Sequence, residues 1–277
     1  MEKIWFITEA SKGLGLTLAK RLIQEGYKVA GTSSSLDELK RSVGTVSPGF
    51  LPLVVDLLDE DSVARALYDT VCHFGRIDVV VNTAKYGLAG SIEELSDEET
   101  RRNFDVNVFG TLNVIRGALP FLREQGSGHI FNVSSIGGFT GAKEGFGIYR
   151  ATELAVLGFS ESLAAEVRPF GIDVTVVVPA YFRSGFTASG LLAVPKRKIA
   201  DYRSIKEIQD QPLQQDGGTV ELEKAAMALL LVGEQEDPPL FLFLGQNMSD
   251  LAAVKTRPVE RRMEGVKELV SAAGLAV

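Results

Sequence analysis

The sequence predicts an α/β protein: a parallel sheet of about seven strands, doubly wound so that helices cover both faces. Three observations carry this. Short apolar runs alternate with longer stretches of helical periodicity along most of the chain, the pattern of strands joined by crossover helices. The runs "DVVVN" and "VTVVVP" are continuous in valine rather than alternating, which marks strands buried on both faces. The first run leads into a turn with Gly13 and Gly15 at the mouth of a helix, an arrangement whose backbone N–H groups attract an anion.

The elements follow in order. "KIWFIT" (3–8) is a buried strand, and residues 11–27 form a helix with Leu14, Leu18, Leu22 and Ile23 on one face. "KVAGTS" (28–33) is the second strand and "LDELKRSV" (36–43) a short helix. "FLPLVVD" (50–56) is the third strand, followed by a helix over 61–75. "IDVVVNT" (77–83) is the fourth strand, and one long helix is expected from about Asp97 to Arg123. "GHIFNVSS" (128–135) is the fifth strand; a helix from about Tyr149 to Val167 precedes the sixth, "IDVTVVVP" (172–179). "LFLFLG" (240–245) reads as a seventh, and "VERRMEGVKELV" (259–270) as an amphipathic C-terminal helix. Residues 184–218 mix charge with scattered Gly and Pro and lack periodicity. They are expected to be a lid or substrate insert within a single domain spanning 1–277. Ligands of such sheets bind at the carboxyl ends of the strands, near the switch point.

Bulk properties exclude several classes. The net charge is −7 and no basic run interleaves with aromatics, so a nucleic-acid partner is not expected. No apolar segment nears the roughly 20 residues that span a bilayer. The N-terminal "MEKIWFITEA" carries charge within its apolar run and is not expected to be a signal peptide; a cytoplasmic protein is expected. The single cysteine, Cys72, allows no internal disulfide and is expected to be packed. His73 and His129 have no companions at metal-ligand spacing; both are expected at the surface or a strand edge, with no metal site.

In order and spacing, a set of motifs resembles the short-chain dehydrogenase/reductase family. The family's T-G-x-x-x-G-x-G turn is matched by Thr8, Glu9, Gly13 and Gly15. Its adenine-side Asp after the third strand corresponds to Asp56, and its N-N-A-G motif to Asn82, Thr83, Ala84 and Lys85. Its helix Asn corresponds to Asn107, its catalytic serine to Ser135, its Y-x-x-x-K motif to Tyr149 and Glu153, and its P-G turn to Pro179 and Ala180. The resemblance is clear over about residues 1–185. It implies a Rossmann-type domain, a nicotinamide cofactor, and a homodimer or homotetramer formed through the helices at about 97–123 and 149–167.

The departures are chemical. In the family the lysine four residues after the tyrosine favours its phenolate and holds the nicotinamide ribose; Glu153 has the opposite charge, and an ionised carboxylate raises a phenol pKa. Glu9 replaces a glycine facing the adenosine and pyrophosphate, and Lys85 replaces a glycine beside the cofactor path. "SSS" (33–35) offers neither the family's Asp for NAD nor its Arg for NADP, leaving Lys12 as the remaining hint of a 2′-phosphate site. Buried charges are costly unless paired, so a Lys85–Glu153 or Lys85–Glu9 ion pair is expected within the cleft.

The reading preferred from sequence is loss of NAD(P) binding and a redox-neutral reaction (cyclisation, isomerisation, elimination or pericyclic) on a hydrophobic carbonyl compound. Ser135 and Tyr149 would grip the oxygen, Asn107 would support them, and Glu153 or Lys85 would move protons. Glu9, Lys12, Gly13, Gly15, Asp56 and Asn82 would then be vestiges of the cofactor site. Phe146, Ile148, Tyr181, Phe182 and Phe186 are the candidate pocket, with Phe139, Leu191 and Leu192 nearby; Arg150 and Arg183 are expected at the surface. The alternatives are an NADP-dependent carbonyl reductase with its cleft still open, and a catalytically silent binding protein.

Overall fold

The computed structural model describes residues 2–44, 47–138, 144–182, 192–210 and 219–273. The strands are β1 (Ile4–Ile7), β2 (Lys28–Ser33), β3 (Phe50–Val54), β4 (Val79–Asn82), β5 (Gly87–Leu88), β6 (Gly128–Val133), β7 (Ile172–Pro179), β8 (Tyr181–Phe182), β9 (Leu192–Ala193), β10 (Thr219–Val220) and β11 (Phe241–Leu244). The helices are α1 (Gly13–Gln24), α2 (Leu36–Val43), α3 (Glu60–Phe74), α4 (Asp97–Phe104), α5 (Gly110–Gln125), α6 (Gly147–Val167), α7 (Arg203–Asp210), α8 (Leu222–Gly233), α9 (Met248–Gly265) and α10 (Lys267–Ala272).

Seven strands form a parallel sheet in the order β11-β7-β6-β4-β1-β2-β3, so the expected doubly wound fold is present. The chain order reverses between β1 and β4, which opens a crevice at their carboxyl ends. Side chains alternate across a strand, and β1 shows the result. Trp5 and Ile7 join a core with Leu14, Leu18 and Leu22 of α1 and Leu229 of α8. Phe6 joins the opposite core with Leu67 of α3, Val114 of α5 and Leu163 of α6. Pro52 is accommodated because β3 is an edge strand. Gly233 lets α8 close on Trp5: a Cβ there would lie 2.4 Å from the indole ring.

Several expectations are corrected. The helix expected over 97–123 is interrupted by a π-turn at Asp105–Phe109, flanked by α4 and α5. The C-terminal helix starts at Met248, well before 259. α8 was not anticipated as a helix; its run "AAMALLLV" packs Ala225, Ala226, Leu229 and Leu230 inward. Cys72 is exposed on α3 rather than packed. His129 is 6% exposed, because β6 lies inside the sheet between β4 and β7. Its Nε2 meets Thr175 Oγ1 at 2.8 Å, and burial pushes its pKa from 6.5 down to about 3. His73 is exposed, as expected. Among the described residues no His/Cys/Asp/Glu cluster suits a metal, and no helix is long and apolar enough to cross a membrane.

The expected insert contributes β9 and α7. β9 pairs with β5, and carboxylates of the segment before and within α4 bind the chain beyond it. Glu94 Oε1 accepts from Ile199 N at 3.0 Å, and Glu99 Oε1 accepts from Lys196 N at 2.9 Å. Tyr202 donates to Glu93 at 2.8 Å.

Candidate functional site

The crevice begins at the turn after β1. Thr8 binds it to the loop after β4: its N–H donates to Val81 O at 3.0 Å, and its Oγ1 accepts from Thr83 N at 3.0 Å. Thr83 Oγ1 in turn donates to Thr8 O. Gly15 is required here, since a Cβ would sit 2.4 Å from Glu9 O and 2.7 Å from Thr83 Oγ1. Gly13 has a φ of +56°, and a Cβ on it would meet nothing within 4 Å. Glu9 itself adopts a φ of 51°, a left-handed conformation costing about 1–3 kcal/mol for a residue with a Cβ. Its side chain folds back locally. Glu9 Oε1 accepts from Ser11 Oγ at 2.6 Å, and Oε2 lies 3.9 Å from Lys12 Nζ. Ser33, at the end of β2, is buried and donates to Ser11 Oγ at 3.2 Å.

The other end of the crevice holds the second charge cluster. Lys85 Nζ lies 3.0 Å from Glu153 Oε1. The Glu153 side chain is 0% exposed and that of Lys85 11%. Of the two pairings open from sequence, the structure therefore has Lys85–Glu153, while Glu9 turns to Lys12. Burial pushes the Glu153 carboxyl above the ordinary range; the Lys85 ammonium opposes this without cancelling it. Glu153 Oε2 is buried with no hydrogen-bond partner among the described residues.

Asn107 connects the two halves of this pair. It lies in the π-turn, a local widening of the helix often found at functional sites. Its Oδ1 accepts from Tyr86 N at 2.8 Å, and its Nδ2 donates to Tyr86 O at 2.9 Å and to Thr152 Oγ1 at 3.0 Å. Tyr86 adjoins Lys85 and Thr152 adjoins Glu153, so one amide sets the spacing of the ion pair. Further along the helix, Ser134 Oγ donates to Glu153 O at 3.2 Å. Asn82 Nδ2 donates to Asn132 Oδ1, and Asn132 Nδ2 to Ser160 Oγ, each at 2.9 Å. These contacts hold α6 on the sheet.

Ser135 follows β6 and its Oγ accepts from Gly137 N at 3.1 Å. Tyr149 lies half-buried in the first turn of α6, one helical turn before Glu153. Asp56 is exposed and caps its own loop, accepting from Leu58 N at 2.9 Å. Phe146 is buried and Ile148 half-buried at the start of α6. The backbone of Tyr181 and Phe182 forms β8, but their side chains, together with Phe139, Arg183, Phe186 and Leu191, lie outside the described residues.

The family model for short chain dehydrogenases matches residues 3–191. The chain belongs to the short-chain dehydrogenase/reductase family. It is 33% identical over 271 residues to oxidoreductase BOA17 of Botryotinia fuckeliana, covering 97% of this chain and 98% of that one. It is 35% identical over 243 residues to 3-ketodihydrosphingosine reductase of Bacteroides thetaiotaomicron, covering 86% of each. A short-chain dehydrogenase structure from Streptomyces avermitilis superposes with a TM-score of 0.88 at 31% identity, covering 100% of this chain and 99% of that one.

The residues of this family member fit a dinucleotide at the phosphate end. Open space in front of Gly13 and an α1 N-terminus without a side-chain cap suit an anionic group. Glu9, the charge that would oppose phosphate, is engaged by Ser11 and Lys12. Lys85 and Glu153 place a buried ion pair beyond the carboxyl end of β4. Sequence reasoning missed Thr152, Ser134, Asn132, Ser160, Glu94 and Glu99. Glu99 and Glu94 left a signal, the capping-box spacing from Ser96 and from Ser91.

Proposed function

We propose that this chain is an NADP(H)-dependent carbonyl reductase acting on a hydrophobic ketone or aldehyde. The observation that carries the reading is the local pairing of Glu9 with Ser11 and Lys12, which keeps its carboxylate at the edge of the phosphate turn instead of across the crevice. Gly13, Gly15 and the α1 N-terminus would hold the pyrophosphate. Ser33 to Ser35 include no carboxylate that would repel a 2′-phosphate, and Lys12 would attract one. Bound nicotinamide supplies the hydride.

Ser135 and Tyr149 would both donate to the substrate oxygen. Ser135 Oγ accepts the Gly137 N–H and, as a hydroxyl, still has its own proton to give. Tyr149 would pass its proton to the developing alkoxide and become a phenolate; a carboxylate one turn away opposes that charge, and the Lys85 ammonium paired with Glu153 would offset the opposition. Asn107 would act by holding Tyr86 and Thr152. Phe146 and Ile148, and a relative named 3-ketodihydrosphingosine reductase, support a hydrophobic substrate. Exposed Phe109 and Leu154 near α5 and on α6 support a homodimer or homotetramer through these helices.

The reading is tested by calorimetric titration with NADPH and by NADPH consumption with long-chain ketones. Binding is expected, and Tyr149→Phe is expected to lower turnover by about a hundredfold, the scale of losing one oxyanion donor, with NADPH affinity unchanged. Absence of NADPH binding would overturn it. A redox-neutral reaction at the same two hydroxyls is the second reading. It is favoured by the Lys85–Glu153 pair lying at the sugar end of the crevice.

A further inference from the structure

We propose that Lys85 is the cation that binds the cofactor's sugar hydroxyls in this crevice, with Glu153 as its tether. The inference rests on the reductase reading above. Lys85 stands just beyond the carboxyl end of β4, beside the switch point where ligands of such sheets lie. Burial orders the pair: the Glu153 side chain is 0% exposed and Lys85 11%. The carboxylate is the deeper member, and Lys85 is the one whose side chain keeps some exposure. An ammonium has three donors, and Glu153 Oε1 accepts one of them at 3.0 Å.

The tether is preorganised. A lysine on a flexible stem normally extends its charge into water. Here Asn107 engages both backbone polar groups of Tyr86 and also reaches Thr152, fixing the residues next to Lys85 and Glu153 together. A purely structural role is a weaker account, because a buried ion pair is often replaced by well-packed apolar side chains of similar volume without loss of stability. The variants below separate these two roles.

The test measures NADPH affinity by calorimetry and thermal unfolding, on the wild type, Lys85→Met/Glu153→Met and Lys85→Arg. The first variant removes both charges. It is expected to unfold near the wild-type temperature and to bind NADPH weaker by about tenfold or more, the scale of losing a hydrogen bond to a charged donor. The second variant keeps a cation beside Glu153 and is expected to hold NADPH with most of the wild-type affinity. Unchanged affinity in the uncharged variant overturns the inference and leaves the reductase reading standing. A loss in Lys85→Arg as large as in the uncharged variant also overturns it, since shape rather than the cation would then set affinity. A wild type that fails to bind NADPH overturns both.

Discussion

Removing Lys85 alone tests the electrostatics of the crevice without any ligand. Lys85→Met leaves Glu153 buried with no counter-charge. Breaking one side of a buried ion pair costs about 3–5 kcal/mol, but here protonation sets a ceiling. A glutamate with an ordinary pKa of about 4.3 can be neutralised for about 1.4 kcal/mol per pH unit above that value. The ceiling is therefore about 4 kcal/mol at pH 7.5 and about 1.6 kcal/mol at pH 5.5. Burial already holds the paired Glu153 above the ordinary range, so the measured penalty lies below the ceiling. It vanishes at the pKa Glu153 has in the intact pair.

The sign is fixed by which state holds the proton. In Lys85→Met the folded protein keeps Glu153 protonated while the unfolded chain releases that proton, so the variant loses stability as pH rises. Urea unfolding of wild type and variant between pH 5.5 and 7.5 should show the difference growing by up to about 1.4 kcal/mol per unit. Adding Glu153→Gln should flatten it. A penalty of equal size at both pH values would refute the reasoning, because it would mean that Glu153 is not a buried carboxylate balanced by Lys85.

His129 and Glu94 give two further predictions, both in acid. His129 stays neutral in the fold until about pH 3, whereas the unfolded chain takes up a proton near 6.5. Its contribution is complete above about 6.5 and is lost as pH falls toward 3, an effect of up to about 5 kcal/mol. His129→Gln should unfold with a shallower pH dependence than wild type over that range, and identical slopes would count against it. Glu94 is 4% exposed. Burial raises its pKa, but hydrogen bonds from Ile199 N and from Ser91 outweigh this and leave it below the ordinary value. Glu94→Gln should cost about 2 kcal/mol at neutral pH and speed hydrogen exchange at Ile199. Both effects should fade in acid, as pH falls from the ordinary carboxylate range through the lowered value that Glu94 has in the fold and wild-type Glu94 also becomes neutral; unchanged exchange at Ile199 would remove Glu94 as an anchor of the segment beyond β9.

How much of this could be read in the chain varies with the physics involved. The sheet was legible because strands buried on both faces must be apolar throughout, as in "VTVVVP". The Lys85–Glu153 pair was legible because two charges facing one cleft must neutralise each other. The burial of His129 was not: it occupies a strand position like any other, and only the sheet order puts β6 between β4 and β7. The π-turn at Asp105–Phe109 escaped because it leaves the helical stripe almost intact on either side. The exposure of Cys72 was misjudged since it adjoins apolar Val71 and Phe74, while facing the other way. Contacts such as Glu94 to Ile199 and Asn132 to Ser160 join distant segments through ordinary polar residues, so no local pattern announces them.

The two unusual charges make physical sense only together. Glu153 without Lys85 is a carboxylate sealed from water whose Oε1 loses its lysine partner, while Oε2 has none among the described residues. A lysine at 85 facing another lysine at 153 would set two ammonium groups against each other. As a pair, they put the cation on the loop after β4 and the anion on α6, while Asn107 holds the spacing from the π-turn. The turn at Thr8 to Gly15 does not depend on this exchange, since Glu9 is balanced by Ser11 and Lys12 within the turn itself. The turn at Gly13 and the segments carrying Ser135 and Tyr149 are thus held by separate sets of contacts, and the exchanged charges fall on the stretch between them. Whatever distinguishes this chain chemically is expected there, in how strongly Tyr149 holds its proton and in what the ammonium of Lys85 grips.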